Sequence, residues 1–259
     1  MRGKTRACLT AVVILAVFAL AWMAGYQLRA QGGQWQPYTI VRTADSTNSA
    51  TGHQLHRLEI IARRSDGSRV DIDSSDPGTR SQFGNREIVL TSEHKRIDVN
   101  DYVKMMSTYY IDSIANSPTD PMCGLSRYAP SAKATFKGEH EILGYRTIMI
   151  QTDNGPFLTT DSKSPDLACE TLQMSEYERQ QNGEPTGRRF ELIATEVLRG
   201  EPDPSLFRIP PSYAEALPSE VSKAVSGLHP EQPPTDRMLE NYQMEDRRYM
   251  ENHRLRGVQ

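Results

Sequence analysis

Cysteine is scarce in this chain: three residues in 259, one of which, Cys8, sits inside an N-terminal apolar run. That excludes a disulfide-dense scaffold and, with no C-x-x-C spacing, dithiol redox catalysis. Histidine is sparse as well. The six are His53, His56, His94, His140, His229 and His253. His53 and His56 fall on opposite faces of any strand that holds both, which is poor ligand geometry. His140 between Glu139 and Glu141 reads first as a solvated strand end, a weak metal site being the alternative. No P-loop, G-x-G-x-x-G, H-E-x-x-H or G-x-S-x-G pattern occurs, so no motif argues for an enzyme or a cofactor. Lys+Arg number 30 against 33 Asp+Glu, and no basic stripe appears. That excludes a general electrostatic reason to bind nucleic acid. Aromatics are only 7% of residues, so a core of ordinary or thin content is expected, with one well-covered sheet face.

Among what is present, the long apolar run 7–28 stands out. Arg2, Lys4 and Arg6 precede it, the order found in a secretory signal or an uncleaved signal anchor. The run has the roughly 20 residues needed to cross a bilayer. Ala19-Leu20-Ala21 and Leu28-Arg29-Ala30 are the available small-residue cleavage patterns, and both cleavage and anchoring stay open. Either way the positive head stays cytoplasmic and the rest is exported. Three regions follow: a signal or anchor over 1–30, a β-rich exported domain over 31–218 and a charged helical tail over 219–259. Roughly 190 residues remain for the domain, enough for one core.

The exported part reads as successive hairpins. A short strand over 38–43 is followed by a polar loop at 44–52. In the strand over 55–64, Leu58, Ile60 and Ala62 alternate with Arg57, Glu59 and Arg63. Asp66-Gly67 turns it into a strand over 69–73 with Val70 and Ile72 inward. A second pair, 86–91 and 96–99, repeats the pattern, which predicts an antiparallel sheet with one wet face. The run 138–152 reads as a strand in the middle of that sheet, with a bulge or close approach at Gly144. Asn154-Gly155 turns it into 157–160. Later strands are expected over 132–137, 169–174 and 189–198. The total is about ten strands, an α+β, mainly antiparallel curved sheet or half-barrel. The Pro-rich stretch 200–213 cannot be a central strand and would close the domain through Leu206, Phe207 and Ile209.

One substantial helix is predicted over 101–116, capped by Asn100 or Asp101 and stopped at Ser117-Pro118. Val103, Met106, Tyr110 and Ile114 share one face, with Met105 and Tyr109 beside it. Laid over the sheet, Val103, Met105, Met106, Tyr109 and Tyr110 would line an apolar ligand cavity, or else fill the core. In the tail, a short helix over 219–226 and a spacer at 229–234 lead to a charged helix over 235–256, read as peripheral. Cys123 and Cys169 are the exported cysteines, and an even pair in an oxidising compartment is expected to form a disulfide, two free buried thiols being the alternative.

Gly138-Glu139 followed by Ile142-Leu143-Gly144-Tyr145-Arg146-Thr147 resembles the motif G-E-x-x-I-L-G-Y-[RK]-T of the LolA-like superfamily. That group includes periplasmic lipoprotein carriers, outer-membrane lipoprotein receptors and lipid-sensing regulators of envelope stress. Pro165-Asp166-Leu167-Ala168-Cys169 and the stretch from Gly200-Glu201-Pro202 to Leu206-Phe207 resemble exported bacterial relatives of that layout. The resemblance implies a half-barrel with helices plugging its concave side, and an acyl chain or lipoprotein as ligand. The tail after Pro218 lies outside the pattern. The expectation is a non-enzymatic envelope protein that binds a lipid or lipoprotein acyl group, with membrane contact through the head if it is uncleaved. An interaction scaffold with a filled core is the second reading. A hydrolase with a polar cleft around His140 is the third.

Overall fold

The computed structural model describes residues 35–74, 84–111, 122–123, 133–228 and 236–257. Eleven strands follow one another before the closing segment: β1 (Tyr38–Asn48), β2 (His53–Arg63), β3 (Arg69–Ser74), β4 (Asn85–Leu90), β5 (Lys95–Asn100), β6 (Met105–Tyr110), β7 (Lys133–Ile142), β8 (Tyr145–Asp153), β9 (Phe157–Ser164), β10 (Glu170–Arg179) and β11 (Pro185–Arg199). A two-residue β12 (Ala214–Glu215) and the helices α1 (Pro218–Leu228) and α2 (Asp236–Leu255) complete the described elements. The strands form one open, curved sheet in the order β12-β6-β5-β4-β3-β2-β1-β11-β10-β9-β8-β7. Every pair is antiparallel except β12, which runs parallel to β6. Two meanders, β1–β6 and β7–β11, are thus joined side by side by the long β1–β11 pairing.

The hairpins form where alternation and turn residues agree. Gly67 ends β2 with a positive φ, and a Cβ there would strike the Trp35 indole, so glycine is required on both counts. The run 138–152 is not one central strand. Leu143 and Gly144 both adopt positive φ, 51° and 80°, and make the two-residue hairpin turn between β7 and β8. Since β7 ends the sheet order, the run lies at an edge; the middle belongs to β2, β1 and β11.

The predicted helix over 101–116 is also corrected. Residues 101–104 form a turn, and Met105–Tyr110 is strand β6, paired in register with β5. The physical reason is local: Thr108, Tyr109 and Tyr110 favour an extended, half-buried surface, and the turn begun by Asn100, whose Oδ1 accepts from Tyr102 and Val103 N–H, ends at Lys104 in a left-handed φ of 56° that no helix continues through. The second half of that prediction (112–116), the N-terminal apolar run and the spacer at 229–234 lie outside the described residues. Among the described residues no helix is long and apolar enough to cross a membrane.

Successive residues of a strand face opposite ways, so Ile61 and Ala62 open two cores. On one face Ala62, Val70, Ile72, Ile88, Ile97 and Val99 pack with Phe207. Burying each large aliphatic here contributes about 1.5–3 kcal/mol. The segment 200–213 closes this face as its sequence predicts. Asp203 caps the short turn Pro204–Phe207 by accepting from Ser205 N–H at 2.8 Å. Arg86 then donates to the carbonyls of Leu206 and Arg208 and, through two nitrogens, to the Asp101 carboxylate.

On the opposite face Tyr38, Ile40 and Ile61 pack with Leu167, Leu172 and Ala194. Beside them Glu170 accepts from Arg69 and Tyr38. Cys123 and Cys169 form a disulfide, as expected from the pair. On the chain-entropy estimate, closing a loop of 46 residues adds roughly 4 kcal/mol.

Candidate functional site

A cavity of about 750 Å³ lies between the sheet face that carries Ile61 and the two helices. Its floor is set by register. Asp71 stands opposite Glu87, and Glu87 opposite Asp98, so three carboxylates form one cross-strand row over β3, β4 and β5. Ser107 continues that row on β6. Glu59 opposite Asp73, with Asn85 and Asn100, makes the neighbouring row. These side chains line the cavity together with Arg42 and Tyr109.

Arginines neutralise most of this floor without covering it. Arg42 reaches Glu59 at 2.8 Å, Arg57 reaches Asp73 at 2.7 Å and Arg96 reaches Asp98 at 2.9 Å. Arg69 pairs with Asp71 from two positions along the same strand. One oxygen of each aspartate is thereby engaged. The other, Oδ1 of Asp71, Asp73 and Asp98, has no protein hydrogen-bond partner. Burial raises the Asp71 and Asp98 carboxyls above the ordinary aspartate range, against the pull of Arg69 and Arg96. Burial and the Asp98 charge push the Tyr109 phenol up to about 12, so it stays protonated.

The roof is of another kind. Pro218, Val221, Ser222, Val225 and Ser226 recur at helical spacing along one side of α1, and Met238 and Tyr242 of α2 extend it. This apolar wall is held by polar anchors. Asp246 of α2 accepts from Ser219 N–H at 2.9 Å and so caps α1 from outside. Asn252 brackets Tyr110, accepting from its N–H and donating to its carbonyl, both at 2.7 Å, and thus pairs with strand β6 as a neighbouring strand would. The Tyr249 hydroxyl donates to Glu215 at 2.8 Å, and its ring meets Tyr109 edge-on at 5.5 Å. The tail helix is therefore docked along the β6 edge, with Tyr249 buried, rather than wholly peripheral.

Of the five residues expected to line a cavity, the structure brings only Tyr109 to it. Met106 points to the opposite face and joins the filled core. Met105 shares the side of Tyr109 by alternation but is not in the wall. Val103 sits in the 101–104 turn, and Tyr110 meets His253 at the sheet edge, centroids 5.4 Å apart. The carboxylate row and the α1 side were missed. Their available signals were the polar half of each strand's alternation and the Val221/Val225 spacing. His140 lies on edge strand β7, far in sheet order from the cavity. Among the described residues no group of three or more His, Cys, Asp or Glu side chains is placed to hold a metal.

No family model and no curated protein matches the chain. Solved structures do. One is PNGF-II, at 13% identity and a TM-score of 0.40, covering 74% of this chain and 33% of that one. Another is the MucA/MucB complex of Pseudomonas aeruginosa, at 12% identity and a TM-score of 0.35, covering 67% of this chain and 56% of that one. A LolA superfamily protein from Nitrosomonas europaea matches at 8% identity and a TM-score of 0.30, covering 68% of this chain and 92% of that one. The chain thus spans a third of the length of PNGF-II and little more than half of the matched chain in the complex.

Proposed function

We propose that this is an exported, non-enzymatic binding protein that takes an amphiphile, a lipid or the acyl group of a lipoprotein, into the cavity between β2–β6 and the α1–α2 pair. The observation that carries this reading is the cavity's two-sided character. Val221, Val225 and Met238 offer hydrocarbon on one wall, while Asp71, Glu87 and Asp98 offer charge on the other. A bare acyl chain would leave the charged floor unmatched, and a fully polar ligand would leave the roof unused. The volume falls within the range of about 300–1,000 Å³ usual for ligand sites. A disulfide supports an oxidising compartment. The filled core expected of a scaffold describes the Phe207 face and the Tyr38–Leu167 cluster, but not the space above β3–β6.

Native mass spectrometry of the full chain, exported through its own N-terminal segment and purified without detergent, tests this. A co-purifying lipid mass is expected. It should vanish in the double variant Val221→Trp/Val225→Trp, which fills the space while circular dichroism and melting temperature stay close to those of the parent. A single apo mass that takes up no added lipid would overturn the proposal.

A further inference from the structure

The cavity floor specifies more than polarity. Like charges placed directly opposite across strands destabilise a sheet, yet Asp71, Glu87 and Asp98 stand in one such row on three successive strands. Glu87, in the middle, has carboxylates on both sides, and its ion pair is a loose one, 3.9 Å to Arg96 Nε. The flanking aspartates each keep one buried oxygen without a hydrogen-bond partner. Arg69 on Asp71 and Arg96 on Asp98 leave this row of three carboxylates one positive charge short. Among the described residues that line the cavity there is no lysine, and Arg42 and Arg86 are engaged elsewhere, Arg42 by Glu59 and the Thr171 carbonyl, Arg86 by Asp101 and two backbone carbonyls. The row faces a cavity with an apolar roof.

We infer that the ligand carries an aliphatic ammonium group, which sits over the Asp71–Glu87–Asp98 row while its hydrocarbon part lies along Val221 and Val225 of α1. This rests on the cavity being the binding site. An ammonium supplies the positive charge by which Arg69 and Arg96 fall short of the three carboxylates, and so relieves the repulsion across the row. An anionic headgroup in the same position meets three carboxylates and is turned away.

Three probes with one chain length separate charge from hydrocarbon: decyltrimethylammonium, decyl maltoside and decanoate, each titrated calorimetrically into the full chain below its micelle concentration. The cation should bind at least about tenfold more tightly than decanoate, and added salt should weaken the cation alone. Glu87→Gln should weaken the cation by about three- to tenfold and leave decyl maltoside unchanged. Asp98→Asn gives a second, independent reading of the row. Equal affinity for all three probes would overturn the ammonium assignment and leave the cavity reading standing. No binding of any probe would overturn both.

Discussion

The two faces of strands β2–β6 are made by the same residues in alternation and covered by the same stretch of chain, yet they are built in opposite ways. One is sealed by the irregular segment 200–213, which sinks Phe207 among Val70, Ile72, Ile88 and Val99. The other is covered by two regular helices that stand off from a charged floor and leave a cavity. On the filled face a buried arginine serves the backbone of the cover, because Arg86 satisfies two carbonyls that an irregular segment cannot pair for itself. On the open face the arginines serve the floor, and the helices satisfy their own backbone. A cover that needs no backbone partners from the sheet can be held at its far end, through Tyr249 and Asn252, without touching the middle of the floor. That difference lets one sheet carry a solid core and an open cavity back to back.

The largest expected effect lies on the filled face. Arg86→Met leaves the Asp101 carboxylate without its cation, though Tyr213 still donates to it, and takes the side-chain donor from the Leu206 and Arg208 carbonyls, at a side chain that is 1% exposed. Removing one partner of such a pair costs about 3–5 kcal/mol. Urea denaturation followed by far-UV circular dichroism measures it. A cost under about 1 kcal/mol would mean that apolar packing alone holds the closing segment, and the contrast between the covers would fail.

A matched pair of truncations comes next. Ile88 is fully buried against the Phe207 cluster, so Ile88→Ala should cost about 2–5 kcal/mol through lost contact and a new void. Val225→Ala removes methyl groups that already border open space, and should cost less than about 1 kcal/mol. Thermal melts of both variants decide it. Similar losses would show that the α1 side is packed as tightly as the opposite core.

Much of this sheet was legible in the sequence, because β2 through β5 alternate cleanly and turn at Gly and polar residues. What alternation cannot give is which strands become neighbours across long separations. The β1–β11 pairing, which puts the middle of the sheet there rather than at 138–152, is of that kind. The 101–116 misreading came from Val103, Met106 and Tyr110, whose spacing fits a helix. The same stretch, Met105 to Tyr110, also fits a strand with Met106 on one face and Tyr109 on the other. The Leu143-Gly144 turn hid because leucine is rarely left-handed. The α2 docking surface hid because Tyr249, Asn252 and His253 hold it by polar and aromatic contacts, not an apolar stripe. Asp71, Glu87 and Asp98 look like ordinary solvent-side residues until register sets them in one row.

The smallest expected effect is the sharpest test of that row. Burial first, with Glu87 adding to it, raises the folded-state pKa of Asp98, and the Arg96 charge opposes the rise. A carboxyl raised on folding binds its proton more tightly in the native state. Its contribution to stability is therefore present below the ordinary aspartate pKa and declines as pH rises through the raised value. At neutral pH the ionised Asp98 is a cost. Glu170 has the opposite sign: burial raises its pKa, the Arg69 and Arg63 charges outweigh that, and the net lowering gives stability present above the ordinary glutamate pKa and lost as pH falls through the depressed value. Asp98→Asn should accordingly be neutral or stabilising at pH 7, within about 0.5 kcal/mol of the parent, since Arg96 keeps Glu87 as partner. It should also flatten the decline in stability between the ordinary aspartate pKa and neutrality. Denaturation midpoints across that range read both effects. A loss above about 2 kcal/mol would make the Asp98–Arg96 pair a structural brace like Arg86–Asp101, and the floor would no longer differ in kind from the opposite face.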